Sequence, residues 1–155
     1  MAAWQTSRNP SAIIMIFMYG DVHMTQRAAL GLIPYKHFGV EMPDGGICEN
    51  SPAGVRVVTF AGFARDGRTW VQNPGAGPAE RAQAVMRAAS RIGERCYSLS
   101  GNNCEHFANW CATGVAISHQ VVAFFAELAR LARLAWAVLV AAAAVTVARA
   151  AFASE

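Results

Sequence analysis

The stretch Tyr97-Ser98-Leu99-Ser100-Gly101-Asn102-Asn103-Cys104-Glu105-His106-Phe107-Ala108-Asn109-Trp110-Cys111-Ala112-Thr113-Gly114 sets a cysteine directly after an asparagine, where turn-forming residues give way to an apolar run. Asn favours the position before a helix because its side-chain oxygen accepts from the free N–H groups of the first turn. Gly supplies the left-handed residue that ends one. The pattern predicts a helix over about residues 103–112, stopped by Gly114, with Cys104 in its first turn. The helix dipole and unpaired N–H groups favour an anion there, so the expectation is a thiol whose pKa is lowered towards neutrality. Phe107 and Cys111 share the face of Cys104 at helical spacing and read as core.

A nucleophilic thiol needs a base, and the fold, not adjacency in sequence, has to supply it. Upstream, Tyr-Lys-His-Phe-Gly-Val-Glu-Met over 35–42 is β-rich and runs into Pro43-Asp44-Gly45-Gly46, a strong turn signal, after which a strand restarts over 47–50. This predicts a hairpin with His37 on its first strand and Glu49 on its second. Taken as about equally distant from the turn, the two are expected to be cross-strand neighbours on one face, with Glu49 holding the imidazole. Cys104 as nucleophile, His37 as base and Glu49 as orienting carboxylate form the candidate site. The alternatives are a small buried hydrophobe at 104 and a structural histidine at 37.

Other histidines carry less. His106 lies two residues from Cys104 and so points elsewhere on a helix, towards packing or hydrogen bonding. His23 and His119 have no supporting pattern, and Asp21 reads as a strand-start or turn residue. A zinc set of Cys104, His106, Cys111 and His119 would have an unrecognised ligand spacing. No metal and no cofactor are expected.

Around these elements, residues 1–11 read as an arm, 12–19 as a first buried strand, and 55–60 and 69–72 as further strands. A loop over 73–78 leads to a helix over 79–92, where Ala84, Ala88 and Ile92 recur at helical spacing before Gly93. The composition fits one domain and a tail: 155 residues, 54% hydrophobic and only 15% charged. Of the 13 basic residues only Lys36 is lysine, and they form no run, which argues against a nucleic-acid partner. The four cysteines sit in a chain without a convincing export signal and are expected to be reduced.

The apolar surplus collects in residues 121–152, where 134–148 carries no charge. Fifteen residues fall short of the roughly 20 that span a bilayer as a straight helix. The run lengthens if Arg133 and Arg149 snorkel, and Trp136 stands where an aromatic anchor is expected. A membrane-associating tail is preferred over a soluble Ala-rich helix that packs on the domain or on a second copy.

Three stretches together resemble the lecithin:retinol acyltransferase (LRAT) domain family, a branch of the NlpC/P60 papain-like superfamily. They are Gly20-Asp21 ahead of Lys36-His37-Phe38-Gly39-Val40, then Gly45-Gly46-Ile47-Cys48-Glu49-Asn50-Ser51-Pro52, then the stretch from Tyr97 to Gly114, whose Asn-Cys-Glu-His-Phe is close to a family signature. The resemblance covers about residues 19–120. It implies an α+β, circularly permuted papain-like domain with a small antiparallel sheet packed on helices, followed by the C-terminal hydrophobic helix. It further implies that Cys104 attacks an ester or amide carbonyl, passes through a thioester and hands the acyl group to water, an alcohol or an amine. Glu49 departs from the second histidine of well-studied vertebrate members, which leaves Asn50 as a rival third residue.

The organisation expected is an arm with the start of a strand over 1–18, a catalytic domain over 19–120 and a tail over 121–155. The expected protein is a thiol acyltransferase or phospholipase-type hydrolase acting on a phospholipid-type ester, with its domain in the cytoplasm and its tail at the membrane. Two rivals stand beside it: a cysteine peptidase or amidase acting on cell-wall peptides, and a non-catalytic membrane-bound module. The sequence does not set the oligomeric state.

Overall fold

The computed structural model describes residues 19–29, 32–65 and 67–153. The chain divides into a unit that ends at Ser118 and a second unit from His119 onward. The first is α+β. Its strands are β1 (Val22–Ala29), β2 (Ile33–Glu41), β3 (Ile47–Ser51), β4 (Gly54–Val58) and β5 (Thr69–Val71), joined in one antiparallel sheet of order β4-β3-β2-β1-β5. Its helices are α1 (Phe60–Ala64), α2 (Pro78–Ser90) and α3 (Cys104–Thr113).

The hairpin turn fixes the register on which the site depends. Gly45 takes a φ of 79° and donates to Met42 O at 2.9 Å, while Met42 N–H reaches Gly46 O at 2.8 Å. A three-residue loop with its last residue left-handed is the form such a hairpin takes. Glu49 therefore pairs with Gly39, not with His37. This corrects the expected pairing by two residues, and because a strand alternates faces every residue, an even slip leaves both side chains on the same face.

Alternation divides the sheet into two faces. Val22, Met24, Phe38, Val40, Met42, Cys48 and Val55 point to one, where Ala84, Val85 and Ala88 of α2 and Cys104, Phe107, Ala108 and Cys111 of α3 close the core. The opposite face carries Thr25, His37 and Glu49, with Phe63 of α1 packed beside the His37 ring at a centroid distance of 5.5 Å. Gly39 makes room for that helix, since a Cβ there would collide with Ile47 and come within 3.1 Å of the Phe63 ring.

Several element boundaries differ from expectation. The strand over 12–19 falls outside the described residues except for Tyr19, which is not in a strand. β1 lies further on and reads weakly in sequence, because only Val22 and Met24 mark its core face. The strand expected to reach residue 60 stops at Val58, since Thr59 Oγ1 accepts from Gly62 N–H at 3.1 Å and caps α1. Helix α2 ends at Ser90, leaving Ile92 exposed. It begins with Pro78, where a missing N–H costs nothing, and Glu80 accepts from Gly77 N–H at 2.8 Å.

The second unit is one helix, α4 (His119–Ala153), of 35 residues, with a mean hydropathy of 2.0 over its most apolar 18-residue stretch and no buried residue. By length and composition it can cross a membrane.

Gly39→Ala should lower stability by about 1–3 kcal/mol, the usual cost of forcing atoms into a packed site. Gly75→Ala should be neutral or slightly stabilising, since nothing lies within 4 Å of the added methyl. Urea denaturation of the two variants checks this contrast, and equal midpoints would remove the packing argument.

Candidate functional site

The nucleophile helix is capped from both directions. Asn103 Oδ1 accepts from Glu105 N–H at 2.9 Å and His106 N–H at 3.0 Å, and His106 Nδ1 accepts in return from Asn103 N–H at 3.4 Å. Gly114, at a φ of 82°, ends the helix by donating to Trp110 O at 2.8 Å. His106 thus has the hydrogen-bonding role expected of it. Asp21 precedes β1 and pairs with Arg81 of α2 at 2.8 Å.

Backbone hydrogen bonding decides where the thiol sits. Glu41 N–H donates to Asp21 O, and Met42 N–H to Gly46 O, so odd residues of β2 bond towards β1 and even ones towards β3. Pairing with β3 ends at Gly39↔Glu49, which leaves the backbone groups of Lys36 and Phe38 open on that edge. Cys104 fills the gap. Its Sγ lies 3.8 Å from Lys36 O as donor, and Phe38 N–H donates to it. The sulfur is thereby held against the strand on both sides of His37.

His37 and Glu49 meet as diagonal neighbours, Nε2 to Oε2, at 2.7 Å, both almost fully buried. Burial acts to raise the Glu49 pKa, but the His37 hydrogen bond and charge, with Arg56 and Arg27, overcome it and hold the carboxyl at about 2. An ionised carboxylate only accepts, so His37 Nε2 carries the proton and, in the neutral ring, Nδ1 carries the lone pair. Burial also pushes the His37 pKa down, against the Glu49 bond, and Arg27 and Arg65 add in the same direction. The ring is therefore neutral at pH 7.

Cys104 departs from the expected lowered pKa. Burial pushes it up to about 11, and the N–H groups of Phe38, Glu105 and Cys104 itself recover only part of that. The helix N-terminus acts in the expected sense; desolvation outweighs it. The resting site thus holds a neutral thiol on the edge of the strand that carries a neutral imidazole.

Two arginines complete the site, and sequence reasoning did not find them. Arg56 grips Glu49 Oε1 through its NH2 at 3.1 Å and Nε at 3.3 Å. Arg27 approaches Oε2 at 3.5 Å, donates to Phe63 O at 2.8 Å and lies 5.6 Å from the Phe63 ring centroid. The β3–β4 hairpin places Arg56 directly opposite Glu49, and the turn Ser51-Pro52-Ala53-Gly54 was the signal available for it. Asn50 turns to the other face, where Nδ2 donates to Asn102 O at 2.8 Å, two residues ahead of the nucleophile. Glu49, not Asn50, bonds the histidine. Among the described residues no group of three or more His, Cys, Asp or Glu could hold a metal ion, and all four cysteines are free thiols.

A family model described as lecithin retinol acyltransferase matches residues 17–117. No curated protein matches the chain.

The groups facing His37 are Glu49, Arg27, Arg65 and Tyr35. Removing the Arg27 cation should let His37 protonate more readily, because a nearby like charge disfavours the imidazolium. In Arg27→Gln the acidic limb of a kcat/KM–pH profile should move to higher pH, and Arg27→Lys should hold it near its original place. A limb that stays put in Arg27→Gln would show that the guanidinium does not act on the base.

Proposed function

Because this chain belongs to the lecithin retinol acyltransferase family, we propose that it is a cysteine-dependent acyltransferase or lipid hydrolase that works through an acyl-thioester on a phospholipid-type ester. The family's activity is of the acyltransferase type, and the observation that carries the finer reading is Cys104 Sγ on the edge of the strand that carries His37, with His37 Nε2 fixed by Glu49. His37 Nδ1 takes the thiol proton as sulfur attacks the ester carbonyl. The tetrahedral adduct expels the alkoxide, which takes that proton back from the imidazolium and leaves as the alcohol, with the acyl group on Cys104. Water, an alcohol or an amine then gives a proton to Nδ1 as it attacks the thioester, and collapse returns the free thiol. Glu49 stabilises the imidazolium in each half without itself accepting a proton, the role of the acid in other such triads.

With both groups neutral at rest, proton transfer and carbon–sulfur bond formation are coupled, so no standing thiolate is exposed to side reactions. In α4, Arg130 and Arg133 precede the uncharged run of 134–148. Basic residues favour the cytoplasmic side, which would keep the domain there with the tail as its anchor.

Incubation with mixed phospholipids followed by intact-mass measurement should detect one acyl chain on the protein, lost in Cys104→Ser and retained in Cys111→Ser. Turnover by Cys104→Ser should fall by several orders of magnitude, as for other catalytic nucleophiles. Glu49→Gln should slow the reaction less than His37→Ala. Retained acylation in Cys104→Ser would sink the mechanism.

A chain truncated after His119 should stay soluble, attack a detergent-dispersed ester and lose activity on intact vesicles. Vesicle flotation tests the anchor: truncated protein that floats as well as the full chain rules the tail out.

A further inference from the structure

Two loops converge on the cap of the nucleophile helix. Asn103 Nδ2 donates to Leu99 O at 2.8 Å and to Ser118 Oγ at 3.3 Å. Ser118 Oγ in turn donates to Glu105 Oε2 at 2.6 Å, so the residues on either side of Cys104 both hold Ser118. Asn109 secures the neighbouring carbonyl of Ile117 at 2.8 Å. The knot is buried, with Ser118 only 1% exposed, yet the apolar side chains around it face outward: Leu99 is 74% exposed, Val115 61% and Ile117 40%.

Covalent order says what covers them. The residue after Ser118 opens the 35-residue apolar helix. Its first turns carry Glu127, Arg130 and Arg133 among Phe124, Phe125, Leu128 and Leu131, and no charge follows until Arg149. A helix this long and apolar can enter a bilayer by composition, and its charged residues Glu127, Arg130 and Arg133 then belong at the interface. A bilayer that receives it is tethered to the chain at Ser118, one hydrogen bond from the cap of Cys104.

We propose that Leu99, Val115 and Ile117 form an apolar rim that enters the surface of a phospholipid bilayer and brings the acyl ester to Cys104. The proposal rests on the acyl-transfer reading above and adds the surface through which substrate arrives.

The test uses the full chain and two substrates, phosphatidylcholine in vesicles and a short-chain phosphatidylcholine kept monomeric. For Leu99→Asp and Ile117→Asp the ratio of vesicle to monomer turnover should fall at least tenfold, and Leu99→Trp should keep it or raise it. An unchanged ratio in both Asp variants overturns the rim. So does an unchanged ratio accompanied by an altered oligomeric state, which would assign the surface to a second copy. If the Asp variants do not fold, Leu99→Ser and Leu99→Trp decide, and equal ratios overturn the proposal. If the unmodified chain turns over neither substrate, the acyl-transfer reading fails by itself. The rim is then judged by fluorescence: brominated phosphatidylcholine should quench Leu99→Trp beyond the unmodified chain, and no added quenching overturns it.

Discussion

The early end of the β2–β3 ladder is the constraint from which the site follows. Had β3 continued to pair past Gly39↔Glu49, the backbone of Lys36 and Phe38 would be occupied, and the edge now taken by Cys104 would be closed. A ladder that ended sooner would cost Glu49 its place on the sheet. Gly39, directly opposite Glu49, contributes by what it lacks: without a side chain there, the carboxylate leans diagonally to His37 and Phe63 packs down beside the imidazole. Turn chemistry at Gly45, register, and the bond that fixes the histidine tautomer are successive consequences of one three-residue loop.

Charge at the site is balanced by clamping one carboxylate. Burying Glu49 unpaired would be costly, and a single neutral imidazole would not make up the loss. Arg56 and Arg27 divide its two oxygens between them while His37 keeps the shared one. Arg27, which helps stabilise the carboxylate, also opposes protonation of His37, so the ring is oriented by Glu49 and kept neutral in part by Arg27. Arg27 also ties this balance to α1 through Phe63 O, making the short helix part of the site and not merely its cover.

Much of this was readable in the residues. Asn103 and Gly114 marked the ends of the nucleophile helix because capping is local chemistry, and the hairpin was found because Pro43 to Gly46 has no other common use. His37 and Glu49 reached the same face despite a register error, since an even error is invisible to alternation. What failed was non-local. β1 presents two core residues and a row of polar ones, and its assignment depends on β2 and β5 lying beside it. The sign of the thiol shift depends on how much of the domain closes over Cys104, a quantity no window of sequence contains. Arg27 is invisible for the same reason, being 22 positions from the carboxylate it serves.

The buried neutral thiol and the apolar tail make sense together. In water, a thiol with a pKa pushed up to about 11 is a poor nucleophile, and burial that deep works against catalysis only if substrate must arrive through solvent. An acyl chain that comes from lipid brings its own apolar surface and keeps water out as it enters, so desolvation is shared between enzyme and substrate. In the proposed reaction, proton transfer to His37 Nδ1 would then take place in a dry site where Glu49 can favour the imidazolium at short range. The run of 134–148, about 22 Å at 1.5 Å per residue, is shorter than a hydrocarbon core of about 30 Å. If α4 enters a bilayer as proposed, that run would leave the turns carrying Glu127, Arg130 and Arg133 on the interface side.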